Sequence, residues 1–306
     1  MHLVIGGGTG VVGRALCVAL TSAGHSVRVV TRTPRAKSDL SWGTVKHCGL
    51  PDDTEGVLNF SGRSIGETNP MFILPRPYKQ YMDEVFSSRI ETNKILTKAC
   101  ESMPIKIFIS ASAVGYYPPD LSKKFTESEP FKECNILTRL VKQWEDAAHL
   151  CNHPEIRQFQ LRLGVVLARD SAFIRSIYPS HRFGFGGPVG NGHQWISWIH
   201  LEDVTRIVEY LLKPDCPVPV GPVNATAPNA IRQAAFSKAF TEAIKAPSLP
   251  FGPIKTPSVA VKLLLGAERA TLVLDGHQVI PKKLLDAGFK FKYPRAEDAL
   301  QAIFRS

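Results

Sequence analysis

The chain has 306 residues, 44% hydrophobic and 21% charged, with a formal net charge of +10. That length holds one large domain or one and a half, and no apolar run approaches the ~20 residues that cross a bilayer. The Lys and Arg are scattered, densest between Lys282 and Arg295, with no aromatic-interleaved basic motif, which argues against nucleic acid; the six cysteines form no Cys-x-x-Cys pair, which fits reduced thiols.

The first thirteen residues carry the strongest local pattern. An apolar run, Leu3 to Ile5, enters four glycines within five positions (Gly6, Gly7, Gly8, Gly10), then an apolar, helix-compatible segment from Val11 to Leu20. Both Gly7-x-x-Gly10-x-x-Gly13 and Gly8-x-Gly10-x-x-Gly13 are present. Strand, glycine turn and helix is the context of a dinucleotide site. The first glycine allows a sharp turn, the middle one lets the backbone approach a pyrophosphate, and the last lets helix and strand pack closely. The phosphates then rest on the free N–H groups and positive dipole end of the helix, which places Gly7, Thr9, Gly10, Val11, Val12 and Gly13 against the cofactor. A core strand this early leaves no signal or transit peptide ahead of it in this sequence, so a cytoplasmic location is expected.

A second β-rich run, Val27 to Thr31, ends ~20 residues after the glycines, beside the adenosine ribose. An NAD site usually places Asp or Glu there. This chain has Thr31-Arg32, with Arg35 and Lys37 nearby and no acid until Asp39. A guanidinium holds a 2′-phosphate with charge-assisted bonds, so NADP is expected over NAD, the alternative being an Arg32 that merely faces solvent. Residues 33–56 are polar, with a short strand expected at 44–47. Val57 to Phe60 reads as a buried strand that ends in Ser61-Gly62, and residues 63–80 as a loop. A long helix follows from Met82 to Met103. In it Glu84 and Arg89 either reach the cofactor groove or form a surface ion pair. Ile105 to Ser112 is the next strand, running into Ala113-Val114-Gly115-Tyr116-Tyr117 beside the expected nicotinamide.

Together the glycine pattern, Asn59-Phe60-Ser61-Gly62, Ser110 to Tyr117 and Trp198-Ile199-His200-Leu201-Glu202-Asp203-Val204 resemble extended short-chain dehydrogenases/reductases. Ser88-Arg89-Ile90, Leu161 to Leu167, Gly184 to Gly190, and the run from Gly276 through Phe291 resemble more narrowly the atypical epimerase-like subgroup with its own C-terminal domain. The resemblance covers essentially the whole chain. It implies a Rossmann core, bound NADP, and oxidoreductase or epimerase activity on an unassigned small carbonyl or hydroxyl compound. By position it implies cofactor contacts at the glycine loop, Thr31, Arg32, Phe60, Ser61, Gly62, Glu84, Arg89 and Arg162. One feature departs from it. Extended members pair Tyr-x-x-x-Lys, and none of the seven tyrosines here has Lys four residues on. Lys142, in a helix expected from Cys134 to Leu150, and Tyr116 are the remaining candidates to act with Ser112. The competing function is a catalytically silent NADP-binding redox sensor or structural protein.

In the second half, Phe159 to Leu167 is a strand in which Arg162 needs either a cofactor anion or a structural carboxylate. The glycine-rich loop Phe183 to Gly192 either closes over the nicotinamide end or is merely flexible, and Trp195 and Trp198 supply apolar walls. His200 reads as a structural hydrogen-bonder ahead of a base. His149, Cys151 and His153 lack a further ligand group, so no metal is expected. A helix is expected over Ala230 to Lys245, a linker from Pro247 to Pro257, and a helical cap over 258–306 with one β segment at Phe289 to Tyr293. The expected architecture is α/β: a Rossmann-type doubly wound, mainly parallel sheet with a smaller, mostly helical C-terminal portion. Residues 1–213 form the cofactor domain and 214–306 the substrate portion, with the family extension at about 247–306. The chain is expected to work as a monomer or homodimer on a small molecule, without nucleic acid or membrane.

Overall fold

The computed structural model describes residues 1–64, 78–247 and 255–305. The apolar runs become strands because burial on both faces leaves hydrogen bonding to neighbouring strands as the outlet for their backbone. Seven belong to one sheet: β1 His2–Gly6, β2 Ser26–Thr31, β3 Leu40–Ser41, β4 Gly56–Asn59, β5 Ile107–Ala113, β6 Arg157–Leu163 and β7 Gly221–Ala225. Their order is β7-β6-β5-β4-β1-β2-β3. The pairings of β1 with β2 and β4, of β2 with β3 and of β4 with β5 are parallel. Leu3, Val4 and Ile5 are at most 1% exposed, as a central strand demands.

Four helices complete the first half: α1 Val11–Ser22, α2 Trp42–Cys48, α3 Tyr78–Cys100 and α4 Ile136–Ala147. Seven follow: α5 Ala172–Arg182, α6 Leu201–Leu212, α7 Gln233–Ala243, α8 Ser258–Leu265, α9 Ala267–Leu274, α10 Lys282–Asp286 and α11 Ala296–Phe304. The chain divides into two compact units, each drawn from three stretches. The first comprises Met1–Ala113, Arg139–Leu161 and Val204–Val223. Its core joins Val4, Val57 and Phe108 of the sheet to Leu96 and Cys100 of α3. The second comprises Val114–Thr138, Arg162–Asp203 and Asn224–Ser306, and its core gathers Trp198, Phe236, Phe240 and Leu300.

Several local expectations are corrected. Residues 44–47 are not a strand but lie inside α2, because Ser41 caps that helix by accepting the Thr44 N–H at 2.9 Å. The strand expected from Phe159 to Leu167 breaks at Gly164, where a Cβ would lie 2.7 Å from the Ser197 carbonyl oxygen; Val165–Leu167 instead pairs with Trp198–His200. The segment Phe289 to Tyr293 is irregular. Buried Asp203 captures the N–H groups of Lys292 (2.8 Å) and Tyr293 (2.9 Å), which a strand would have used for pairing. Trp198 is not a loop wall but fully buried in the core. The loop expected at 63–80 and the linker at 247–257 lie largely outside the described residues.

Candidate functional site

β1 has β2 on one side and β4 on the other. Connections leaving it therefore diverge, and the crevice outside the carboxyl ends of the strands at such a switch point is where doubly wound sheets hold ligands. The glycine loop stands there. Gly7 turns at φ +80°, and a Cβ on it would lie 2.6 Å from the Phe60 carbonyl carbon. A Cβ on Gly13 would lie 2.2 Å from the Gly7 carbonyl oxygen, so this glycine sets the loop against α1. Gly10 differs: its nearest neighbour would be the Gly7 oxygen at 3.5 Å, leaving its outer side open for close approach. Gly10 caps α1 with no side-chain hydrogen bond, and the first turn contains no acid. Thr9 and Gly10 are exposed, and Val11 and Val12 half-buried. The helix thus offers its dipole end and first-turn N–H groups to an anion.

At the end of β2, Thr31 is buried and Arg32 exposed. Arg32 has no hydrogen bond or ion pair among the described residues. Asp39, the first acid after it, is spent on its own loop: one carboxylate oxygen accepts the N–H groups of Arg35 (2.8 Å) and Ala36 (2.9 Å).

At the end of β4, Asn59 accepts the Ser61 N–H at 3.1 Å and donates to Asn93 of α3 at 2.5 Å, while Asn93 donates to the Trp144 carbonyl at 3.1 Å. This ladder fixes Phe60, Ser61 and Gly62. Arg89 packs beneath Gly62, where a Cβ would meet its guanidinium carbon at 3.0 Å. Its guanidinium lies 4.9 Å from the Trp144 ring and donates to the Val85 carbonyl at 3.0 Å. It does not pair with Glu84, which pairs with Arg63. Arg89 is 6% exposed, has no carboxylate partner among the described residues, and burial pushes it down to about 10. Among the described residues, four buried polar atoms in this unit have no hydrogen-bond partner: Ser61 Oγ, Arg89 Nε, Ser110 Oγ and Trp144 Nε1. Native proteins rarely leave such atoms unsatisfied, which makes these residues candidates to meet a ligand.

Ser110 and Ser112 share one face of β5. Ser112, 1% exposed, donates to Glu145 of α4 at 2.6 Å. Lys142 turns the other way, to Asp146, in an exposed pair. Thr138, Leu140, Val141 and Trp144 of α4, with Ala148 just after it, are buried, so the helical phase sets Glu145 nearer the sheet than Lys142. Asn93, Ser110, Trp144 and Glu145 were not anticipated as site residues. The helical phase of α4 was the available signal for Glu145.

In the second unit, a 3₁₀ turn, Val114–Tyr116, follows β5. Arg162, 2% exposed, donates to the Tyr117 oxygen at 2.9 Å and stacks 3.3 Å from the Tyr116 ring centroid. Burial pushes Tyr117 up to about 12, against the opposing pull of Arg162. His200 accepts the Glu202 N–H at 3.2 Å and lies 4.0 Å from the Tyr293 ring, a structural placement; burial holds it below the usual imidazole range.

Comparison with known proteins fits this geometry. Residues 3–136 match the NAD dependent epimerase/dehydratase family, and residues 256–303 match a domain of unknown function, DUF1731. The bovine epimerase family protein SDR39U1 is 33% identical over 306 residues, covering 99% of both chains. The chain belongs to the SDR39U1 epimerase family. The chloroplastic SDR39U1 homologue of Arabidopsis thaliana is 30% identical, over 100% of this chain and 87% of its own length. A crystal structure of human SDR39U1 (isoform 2) with NADPH superposes with a TM-score of 0.91 at 32% identity, covering 100% of this chain and 99% of that one. Within this SDR39U1-type fold, the DUF1731 segment carries His277, Lys292 and Tyr293, the last two being those held by Asp203.

Proposed function

We propose that the chain is an NADP(H)-dependent oxidoreductase or epimerase that acts on a small carbonyl or hydroxyl compound. Arg89 carries this reading. A buried guanidinium with no carboxylate partner among the described residues is costly, and a phosphate of the cofactor would offset that cost. The glycine loop and the α1 N-terminus hold the pyrophosphate, Phe60, Ser61 and Gly62 border it, and Glu84, paired with Arg63, borders the cofactor groove from α3 away from the phosphates. Arg32 holds the 2′-phosphate. The human relative crystallised with NADPH supports the same assignment. When bound, the nicotinamide supplies or accepts a hydride at a substrate carbon. Ser112, its proton committed to Glu145, presents its oxygen as an acceptor that orients a substrate hydroxyl. Among the described residues no helix is long and apolar enough to cross a membrane, and all six cysteines are free.

A second reading, a catalytically silent NADP-binding sensor or structural protein, is favoured by the missing Tyr-x-x-x-Lys pair. Side-by-side titration tests the cofactor assignment. NADPH is expected to bind at least about tenfold more tightly than NADH, the margin of one charge-assisted contact, and Arg32→Ala should erase that difference. Equal affinities in the wild type would overturn the assignment to NADP. Loss of nicotinamide absorbance with a panel of aldehydes and ketones separates the two functional readings.

A further inference from the structure

We propose that a pocket in the second unit, lined by the end of the glycine-rich loop and by α8 and α9, binds a small zwitterion: a molecule with one ammonium and one carboxylate, as in a free amino acid. The pocket has a volume of about 500 Å³, within the range of small-molecule sites, and the residues that line it all belong to that unit. Cofactor binding and turnover are not needed for it, so it goes beyond the oxidoreductase reading and does not rest on it.

The end of the glycine-rich loop is a fixed wall. The Gly190 N–H donates to the Thr256 carbonyl at 2.8 Å, and the Thr256 N–H donates back to the Pro188 carbonyl at 2.9 Å. On the other side, the Val189 N–H donates to the Gln233 side-chain oxygen at 2.9 Å, and the Gly192 carbonyl accepts the Ala234 N–H at 3.0 Å. Gly190 turns at φ +62°, in the left-handed region that favours glycine, and a Cβ there would lie 3.3 Å from Leu274 Cδ2. A wall tied in this way is preorganised, and a ligand does not have to order it on binding.

Gln194 sets the first requirement on the ligand. It is 3% exposed, and its side-chain nitrogen donates to the Val189 carbonyl at 3.1 Å and to the Val273 carbonyl at 3.0 Å. Both amide hydrogens are thus used, which fixes which way the amide faces. Its Oε1 has no partner among the described residues, is not one of the enclosed polar atoms, and belongs to a residue that lines the pocket. It is an acceptor that calls for a donor. Two charges set the second requirement. Lys262 of α8 and Asp275, which follows α9, both line the pocket. Neither makes an ion pair among the described residues. Partial burial raises the Asp275 carboxyl above its ordinary value and Lys262 opposes the rise, so the two groups act on each other without contact. A ligand with a single charge meets one of them and leaves the other unmet, and a neutral polyol meets neither. A zwitterion meets both. Its ammonium donates to Asp275 and to Gln194 Oε1, and its carboxylate takes a charge-assisted bond from Lys262. Ala270 and Leu274, also in the lining, receive its carbon skeleton. The α8–α9 wall lies within the segment that matches DUF1731, so that segment acquires a binding role.

The test is calorimetric titration of the full chain, without cofactor, with the standard L-amino acids. Each is run beside the amine that lacks its α-carboxylate and the acid that lacks its α-amino group, with glycerol as the neutral polyol. At least one amino acid should bind with a Kd below about 1 mM, and its amine and acid counterparts should each bind about tenfold more weakly or worse, the margin of one charge-assisted contact. Lys262→Met and Asp275→Asn should each weaken the amino acid by a similar factor. Both side chains reach solvent, so these exchanges leave the core intact. No binding of any amino acid up to about 10 mM overturns the proposal. So does an amine, acid or glycerol that binds as tightly as the amino acid, or wild-type affinity in either variant. None of these results touches the oxidoreductase reading, since no cofactor takes part.

Discussion

Arg89→Met is expected to weaken NADPH binding by about 100-fold while leaving the free protein as stable as the wild type, or more so. The affinity loss corresponds to about 2.7 kcal/mol at about 1.4 kcal/mol per decade, within the range of a charge-assisted bond to a buried anion. The opposite sign for the free protein follows from burial. Arg89 is 6% exposed, its Nε has no partner, and its guanidinium is compensated by one carbonyl and the Trp144 ring. Methionine keeps the apolar stem and removes the desolvated charge, an exchange that is often neutral or stabilising. Thermal melts with and without NADPH check both halves. A variant that binds NADPH normally, or whose free form melts far below the wild type, would show Arg89 to be structural.

A second large effect is expected on acidification. Burial pushes His277 down to about 4, opposed by its hydrogen bond to the Val114 backbone. The residue as a whole keeps some exposure, but its Nδ1 is enclosed and unpartnered. In the unfolded chain the ring takes up a proton near its ordinary pKa of about 6.5, whereas in the folded chain it stays neutral down to about 4. Stability is therefore fully present above about 6.5 and falls as pH drops between these values, by about 3 kcal/mol in total. His277→Gln should flatten that slope by about this amount in denaturant unfolding followed from pH 7.5 to 4. His181 and His200, also held low by burial, act in the same direction and remain in both proteins, so the difference isolates His277. Parallel slopes in variant and wild type would show that the ring titrates normally.

The strand, glycine turn and first helix were legible because their determinants are local. Gly7 and Gly10 sit between an apolar strand and an apolar helix, Gly13 in that helix's first turn, and each meets the steric environment that its spacing implies. The place of Arg32 was legible for the same reason, as it directly follows β2. What could not be read depends on partners far apart in sequence. Arg162 is held by a phenol 45 residues away, and Asp203 organises a backbone turn 89 and 90 residues later. At residues 44–47, Val45 and its neighbours suit either element over so short a run, and the cap at Ser41 decides for the helix. Lys142 is a candidate as the lysine of the helix expected after β5, and its exposed pair with Asp146 turns it outward. The phase of buried positions along α4 would have pointed to Glu145 instead.

The strand order has a consequence for how the chain is made. Laid down in order of synthesis, β2 and then β3 add on one side of β1, and β4, β5, β6 and β7 add in turn on the other. Each new strand meets an edge already in place, and none has to wedge between two strands that have already paired. A nascent chain emerging at roughly 5–20 residues per second can therefore extend the sheet as it leaves the ribosome, with the edge awaiting its next strand always at the outside. The cofactor loop, flanking the first strand, is in place long before β7 closes the far edge.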